Sequence, residues 1–109
     1  MWNREMSEPE FVAQVLSLYL RLPHTPARIH RSDRQLAAQW YAQGLTWETL
    51  EGALLLAAAR RSLRDPALPP LAPIRSLHYF VPLVEEVLAT PLALEYVQYL
   101  RSKLAALNP

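Results

Sequence analysis

A chain of 109 residues, 51 % hydrophobic and 19 % charged, is long enough to bury its own core as a single helical domain, 1–109, and is too apolar to be disordered. The absence of cysteine excludes disulfides, thiolate catalysis and cysteine-bound zinc. The formal net charge of +1 excludes a strongly acidic or basic chain overall, although the charge is unevenly distributed.

Ser7-Glu8-Pro9-Glu10 reads as a capping box, with the serine oxygen accepting from the backbone three residues on and Glu10 reaching back. Phe11, Val15, Leu18 and Leu22 follow at helical spacing, widened by Val12, Leu16 and Tyr19, and Pro23 stops this first helix. Pro23 to Arg31 contains two prolines and no apolar period, so it is a loop. Ser32 to Gln35 reads as a second capping box, opening a helix through Leu36, Trp40 and Tyr41 that ends at Gly44, a natural left-handed C-terminal residue. Thr46 caps a third helix through Trp47, Leu50, Leu54, Ala57 and Ala58, ending near Leu63. Its stretch ALLLAAA, residues 53–59, is apolar all round, which marks the central helix of a bundle.

Four prolines between Asp65 and Pro73 make an extended connector. The stretch PIRSLHYFVPLVEE, residues 73–86, has two readings. Either Ser76 caps a fourth helix that kinks at Pro82, or Leu77 to Phe80 form a separate turn and the helix starts with Pro82 in its first turn. In both, Leu77, Phe80, Val81 and Val84 face the core, while Arg75, His78, Pro82, Glu85 and Glu86 face outward. Thr90-Pro91 predicts the start of the last helix, with Ala93, Val97, Leu100, Leu104 and Leu107 as its core stripe. Strand-like alternation and internal repeats are absent from the sequence. The expected fold is all-α: a single compact bundle of about five helices with a proline-rich connector before the fourth.

Residues 21–78 hold Arg21, Arg28, Arg31, Arg34, Arg60, Arg61, Arg64 and Arg75 against Asp33, Glu48, Glu51 and Asp65, a net of +4. The first twenty residues sum to −2 and the last thirty-one to −1. Ten of the eleven basic residues are arginine, whose planar fork binds phosphate bidentately and stacks on bases. A GC-rich genome, which favours arginine and alanine codons, accounts for the same bias without any ligand. The first ten residues, with Arg4, Glu5, Glu8 and Glu10, do not read as a secretory leader, and the run 52–59 is too short to span a bilayer. A cytoplasmic protein without membrane contact is expected.

Three stretches qualify as sites. In RLPHTPARIHRSDR, Arg21, His24, Arg28, His30, Arg31 and Arg34 lie within fourteen residues, and proline keeps the segment open. Two loop histidines, His24 and His30, are too few to hold zinc, so no metal is expected. Arg75, His78 and Tyr79 stand at the start of the fourth helix, where free backbone donors favour an anion. The same residues also read as a staple, Tyr79 and Phe80 tying the connector to the bundle. The order SDRQLAAQWYAQGLTWETLEGAL looks like a helix-turn-helix. Bulky Trp40 before the turn, and Glu48 and Glu51 at the start of the second helix, favour a plain antiparallel helical pair instead. No serine or threonine sits in a nucleophile elbow, no glycine belongs to a phosphate-cradling loop, and Glu85 and Glu86 point apart. Neither an enzyme nor a cofactor is expected.

The order WYAQGLTWETLEGALLLAAARR, a proline-rich break, then IRSLHYFVPLVEEVL resembles small helical segments of replication-initiation and primosome-loading proteins of bacterial mobile elements, DnaD-like domains among them. Those segments close with a helix-opening I-x-S-x-x-Y-F and an apolar stretch with acids, matched here by Ile74, Ser76, Tyr79, Phe80, Val84, Glu85 and Glu86. The likeness covers about half the chain and departs at Trp40 and Trp47. It implies nucleic-acid binding, DNA or RNA, beside a replication or transposition machine.

Two functional expectations follow. A nucleic-acid-binding module would use Arg28, Arg31, Arg34, Arg60, Arg61, Arg64, Arg75 and His78, with Tyr41 or Tyr79 as a stacking face. A protein-assembly subunit, as a homodimer or in a larger nucleoprotein complex, would use Tyr96, Tyr99 and Lys103 at i, i+3 and i+7 on the last helix. Arginines gathered on one side favour the first expectation; scattered arginines favour codon bias and the second.

Overall fold

Each helix forms where the sequence supplies a start signal and an apolar face. The computed structural model describes residues 6–107. They form α1 (Glu8–Arg21), α2 (Arg31–Ala42), α3 (Trp47–Ser62), α4 (Val81–Ala89) and α5 (Leu94–Leu107), with a 3₁₀ turn at Leu77–Phe80 and no strand among the described residues. At the start of α1 the Ser7 hydroxyl accepts from the Glu10 N–H at 3.3 Å, and the Glu10 carboxylate accepts from the Ser7 N–H at 2.9 Å. Thr46 caps α3 by accepting from the Thr49 N–H, and Gly44 takes φ 85° in the turn before it. α3 is buried on every side from Gly52 to Ala59. The second reading of residues 73–86 holds: the 3₁₀ turn is separate, Ser76 caps it, and Pro82 sits in the first turn of α4, where its missing N–H has no helical partner to lose.

Two helix starts differ from the sequence expectation. α2 begins at Arg31 with His30 as its N-cap, not after Ser32. The reason is Asp33, whose carboxylate Oδ2 accepts from the His30 N–H at 2.9 Å while Oδ1 accepts from the Leu77 N–H at 3.0 Å. Asp33 is fully buried, and Ser32 faces solvent. α5 begins at Leu94, so Pro91 lies outside it. The chain stays irregular through Ala93, and Leu92 lies close against α3 at Gly52, where an added Cβ would meet the Leu92 Cδ1 at 3.2 Å. Ala93 is exposed, and its carbonyl accepts from the Tyr96 and Val97 N–H groups. Val97, Leu100 and Leu104 form the buried stripe, and the Leu107 side chain lies outside the described residues.

α1 packs against α2 and α3, and α3 packs against α4 and α5. Consecutive α2 and α3 do not form the expected antiparallel pair; each packs on α1 instead. α1 and α2 run antiparallel. Phe11 meets Tyr41 at 5.4 Å and the Tyr41 hydroxyl donates to the Met6 carbonyl at one end, while Tyr19 feels the charge of Asp33 at the other. Arg60 reaching Glu86 and Arg61 reaching Tyr79 fix α4 antiparallel to α3. The loop 22–30, the N-terminus of α2, the C-terminus of α3, the connector and the 3₁₀ turn therefore meet at one end of the bundle. The α2–α3 turn and residues 90–93 occupy the other. No helix among the described residues is long and apolar enough to cross a membrane.

At the first end, Phe80 is fully buried and meets the Tyr19 ring edge-on at 6.0 Å. The Tyr19 hydroxyl is buried without a hydrogen-bond partner. Burial first, and the nearby Asp33 carboxylate second, push its pKa up to about 12. Between pH 10 and about 12 the unfolded chain gives up this proton while the native chain keeps it, so the Tyr19 contribution to stability is whole below pH 10 and is lost as pH rises through that window. Tyr19→Phe is expected to flatten the alkaline limb of stability against pH, read by urea unfolding at each pH. Asp33→Ala leaves the buried Leu77 N–H without an acceptor, and the same assay is expected to read a loss of about 2–3 kcal/mol. Asp33→Asn keeps one carbonyl acceptor and should fall between.

Candidate functional site

The end of the bundle organised around Asp33 collects most of the charge-bearing side chains. Eight of the ten arginines, Arg21, Arg28, Arg31, Arg34, Arg60, Arg61, Arg64 and Arg75, and all three histidines belong to elements that meet there. Asp33, buried and hydrogen-bonded, and Asp65 are the acids of those segments. Glu8 shares a groove with Arg31 and Arg34 and Glu86 of α4 pairs with Arg60, while Glu48 and Glu51 in the first half of α3 lie toward the other end. There, Arg101 is held in a bidentate ion pair by Glu51, at 2.9 Å.

The loop is fixed from within. The Thr25 hydroxyl lies 2.9 Å from both the Tyr19 and the Leu22 carbonyls, so it holds the loop against the end of α1. His24, just before it, has φ 68°, the only described residue other than glycine in the left-handed region. Arg28 is exposed. Arg31 and Arg34, one helical turn apart, line a groove along α1 and α2 together with Glu8, Pro9, Val12 and Gln35.

The arginines of α3 divide their tasks. Arg60 makes a bidentate pair with Glu86 of α4 at 2.6 and 2.9 Å. The hydrogen bonds from Arg60 hold the Glu86 carboxyl below its ordinary range, and Glu86 in turn raises the guanidinium. Arg61 donates to the Ala72 carbonyl of the connector at 2.6 Å, lies 5.6 Å from the Tyr79 ring centre, and reaches the Tyr79 hydroxyl at 3.5 Å. Tyr79 packs edge-on against Phe80 at 5.1 Å. The connector is thus held by Arg61, with the Tyr79 ring against its guanidinium. Arg64 lines a cleft between α3 and the connector together with His24. Arg75 and His78 are exposed on either side of Ser76.

Arg28, Arg31, Arg34, Arg64, Arg75, His24 and His78 are thus brought to one end, without an ion pair to any described residue. Arg60 and Arg61 belong to the same end but are engaged by Glu86 and by the connector. Asp33 and the left-handed His24 are the two residues of this end whose roles sequence reasoning missed. An aspartate three residues after a loop end is a capping-box signal, and Ser32 obscured it. Nothing local marks the His24 backbone.

Tyr96, Tyr99 and Lys103 stand elsewhere, on the outer flank of α5. The two tyrosines stack at 6.0 Å with their planes 19° apart, and the Lys103 ammonium lies 6.0 Å from the Tyr99 ring centre. Leu88 of α4 and Leu94 of α5 are also exposed. No cluster of three or more metal-ligating side chains occurs among the described residues. No protein family, curated protein or solved structure matches this chain.

Arg61→Ala removes the clamp on the connector. The expected results are a stability loss of about 1 kcal/mol, discounted for partial exposure, and faster protease cleavage between Asp65 and Pro73 in limited digestion.

Proposed function

We propose that this chain binds nucleic acid through phosphate contacts made by the basic end of its bundle, with little base specificity. The observation that carries this reading is the gathering of eight of the ten arginines and all three histidines at one end of the bundle, with Asp33, Asp65 and Glu86 as acids of that end. Arg28, Arg31, Arg34 and Arg75 are exposed and make no ion pair with a described residue, so their donors are open to phosphate oxygens. Each neutralised phosphate releases counterions, which gives affinity without sequence readout. Arg60 and Arg61 support the surface and contribute field more than contacts. Tyr79, 38 % exposed beside Arg61, offers an edge for a base. The likeness to replication-initiation segments supplies the finer setting: an accessory role in a cytoplasmic replication, transposition or other mobile-element nucleoprotein complex.

A second reading draws on the α5 flank. Stacked and exposed Tyr96 and Tyr99, with Leu88 and Leu94 nearby in the chain, suit a protein partner or a homodimer, in which nucleic acid plays no part.

Binding to labelled single- and double-stranded DNA and RNA over a salt series separates the two. Under the first reading affinity falls steeply with salt. Changing Arg28, Arg31 and Arg34 together to alanine then lowers the slope of log affinity against log salt by roughly 2–3 on duplex DNA. Tyr96→Ala with Tyr99→Ala leaves that slope unchanged. Failure to bind any of these nucleic acids at low salt sinks the first reading. A dimer seen by sedimentation, and lost in the tyrosine double variant, supports the second.

A further inference from the structure

We propose that the cleft between the last turn of α3 and the proline-rich connector is a binding site for a single phosphate monoester group. The site is distinct from the exposed arginines that would follow a strand, and it does not rest on the strand-binding reading. The cleft measures about 340 Å³, well beyond the about 30 Å³ that a water occupies in the liquid, so a phosphate and the group carrying it both fit. His24 of the loop, Arg61 of α3 and Arg64 just past its C-cap line it, with Asp65 as its single acid, and Pro66, Pro69 and Pro70 complete the lining.

Three observations converge on an anion. Arg61 and Arg64 each keep one guanidinium nitrogen, Nε and Nη1 respectively, shielded from solvent with no hydrogen-bond partner. A buried charged donor left unpaired is costly, so an oxyanion entering the cleft is expected to draw these two guanidinium groups round to pair with it. Arg61 is already immobilised through its other nitrogens by Ala72 and Tyr79, which leaves its position preorganised. His24 is held in a left-handed backbone conformation between Pro23 and the anchored Thr25. Such strain persists only where the surroundings dictate it, and it concentrates at ligand clamps. Asp65 would oppose an anion, but its Oδ1 is engaged by the Ala67 N–H at 2.9 Å, within the turn that begins the connector. Pro66, Pro69 and Pro70 offer no N–H of their own, so the donors come from the α3 side and the loop, and the proline wall sets the shape. Two guanidinium groups and an imidazole around one cleft suit a compact dianion with several acceptor oxygens.

The test is a titration of the protein with inorganic phosphate at constant ionic strength, followed by amide chemical shifts. Saturable shifts confined to His24, Arg61 to Ala67 and the connector are expected. Arg64→Ala should weaken binding at least roughly tenfold, the loss of a charged hydrogen bond. Arg64→Lys, which keeps the charge and the packing but not the fork, should weaken it by less. His24→Gly removes the imidazole while relieving the left-handed backbone, and is expected to cost roughly three- to tenfold in affinity with no loss of melting temperature. A 5′-phosphorylated oligonucleotide, its 5′-hydroxyl counterpart and a nucleoside monophosphate identify the source. Displacement of phosphate by the 5′-phosphorylated strand alone assigns the site to strand ends, and displacement by the mononucleotide assigns it to a small phosphate ester. Either result upholds the site. Non-saturating shifts shared with Arg28, Arg31 and Arg34, or wild-type phosphate affinity in Arg64→Ala and Arg64→Lys with the fold intact, would overturn it.

Discussion

A single buried carboxylate sets the arrangement on which the rest of the bundle depends. Asp33 accepts one backbone donor from His30, three residues before it, and one from Leu77, forty-four residues after it. The first bond starts α2; the second holds the 3₁₀ turn that precedes α4. A buried charge is tolerated only when hydrogen bonds replace its hydration, and two backbone N–H groups in a fixed geometry do so here. Because the donors belong to segments far apart in sequence, the same carboxylate brings the loop 22–30 and the connector to one end of the molecule. An apolar residue at position 33 would fill the space but would leave the Leu77 N–H orphaned and nothing to fix the register between α2 and the turn.

The way α3 ends explains how three neighbouring arginines come to do three different things. Successive residues on a helix are about 100° apart, so Arg60 and Arg61 diverge, and Arg64 follows in the bend after the Leu63 C-cap. Arg60 is thereby directed to α4 and Glu86, and Arg61 and Arg64 to the connector and the loop. The proline-rich connector has few backbone donors with which to anchor itself. A carbonyl of that connector, Ala72, accepting from an arginine on the helix is the complementary solution, and the Tyr79 ring completes the enclosure of Arg61.

Much of the fold was legible where the signals are local. The capping box at Ser7, the Thr46 cap, the left-handed Gly44 and the all-round apolar α3 depend on neighbours within a few residues, and each is found as the sequence suggests. The reading failed where a distant partner decided the outcome. Ser32 and Asp33 are both competent near a helix start, and only the Leu77 N–H, invisible locally, selects Asp33. Thr90-Pro91 is a sound local start signal, yet α5 begins only after Leu92, which packs beside Gly52. The candidate site followed the same division. Its arginine content was evident from composition, but which arginines are engaged by Glu86 or the connector, and which are open, depends on tertiary neighbours.

The distribution of those arginines can be weighed against what the fold itself requires. Cations at a helix C-terminus are stabilised by the helix dipole, so Arg21 at the end of α1 and Arg60 and Arg61 at the end of α3 have a structural reason to be where they are. Arg31 and Arg34 do not. They occupy the first turns of α2, where the dipole disfavours a positive charge by about 0.3–1 kcal/mol each at the surface, and neither gains an ion pair with a described residue in return. Arg28 and Arg75 lie in irregular segments with no dipole to complement. Codon bias explains how many arginines a chain contains but is indifferent to which end of a bundle receives them. The residues that exceed the needs of the fold, Arg28, Arg31, Arg34 and Arg75, are exposed at the end where the arginines gather and make no ion pair with a described residue. The proposed polyanionic partner would give them a reason to be there.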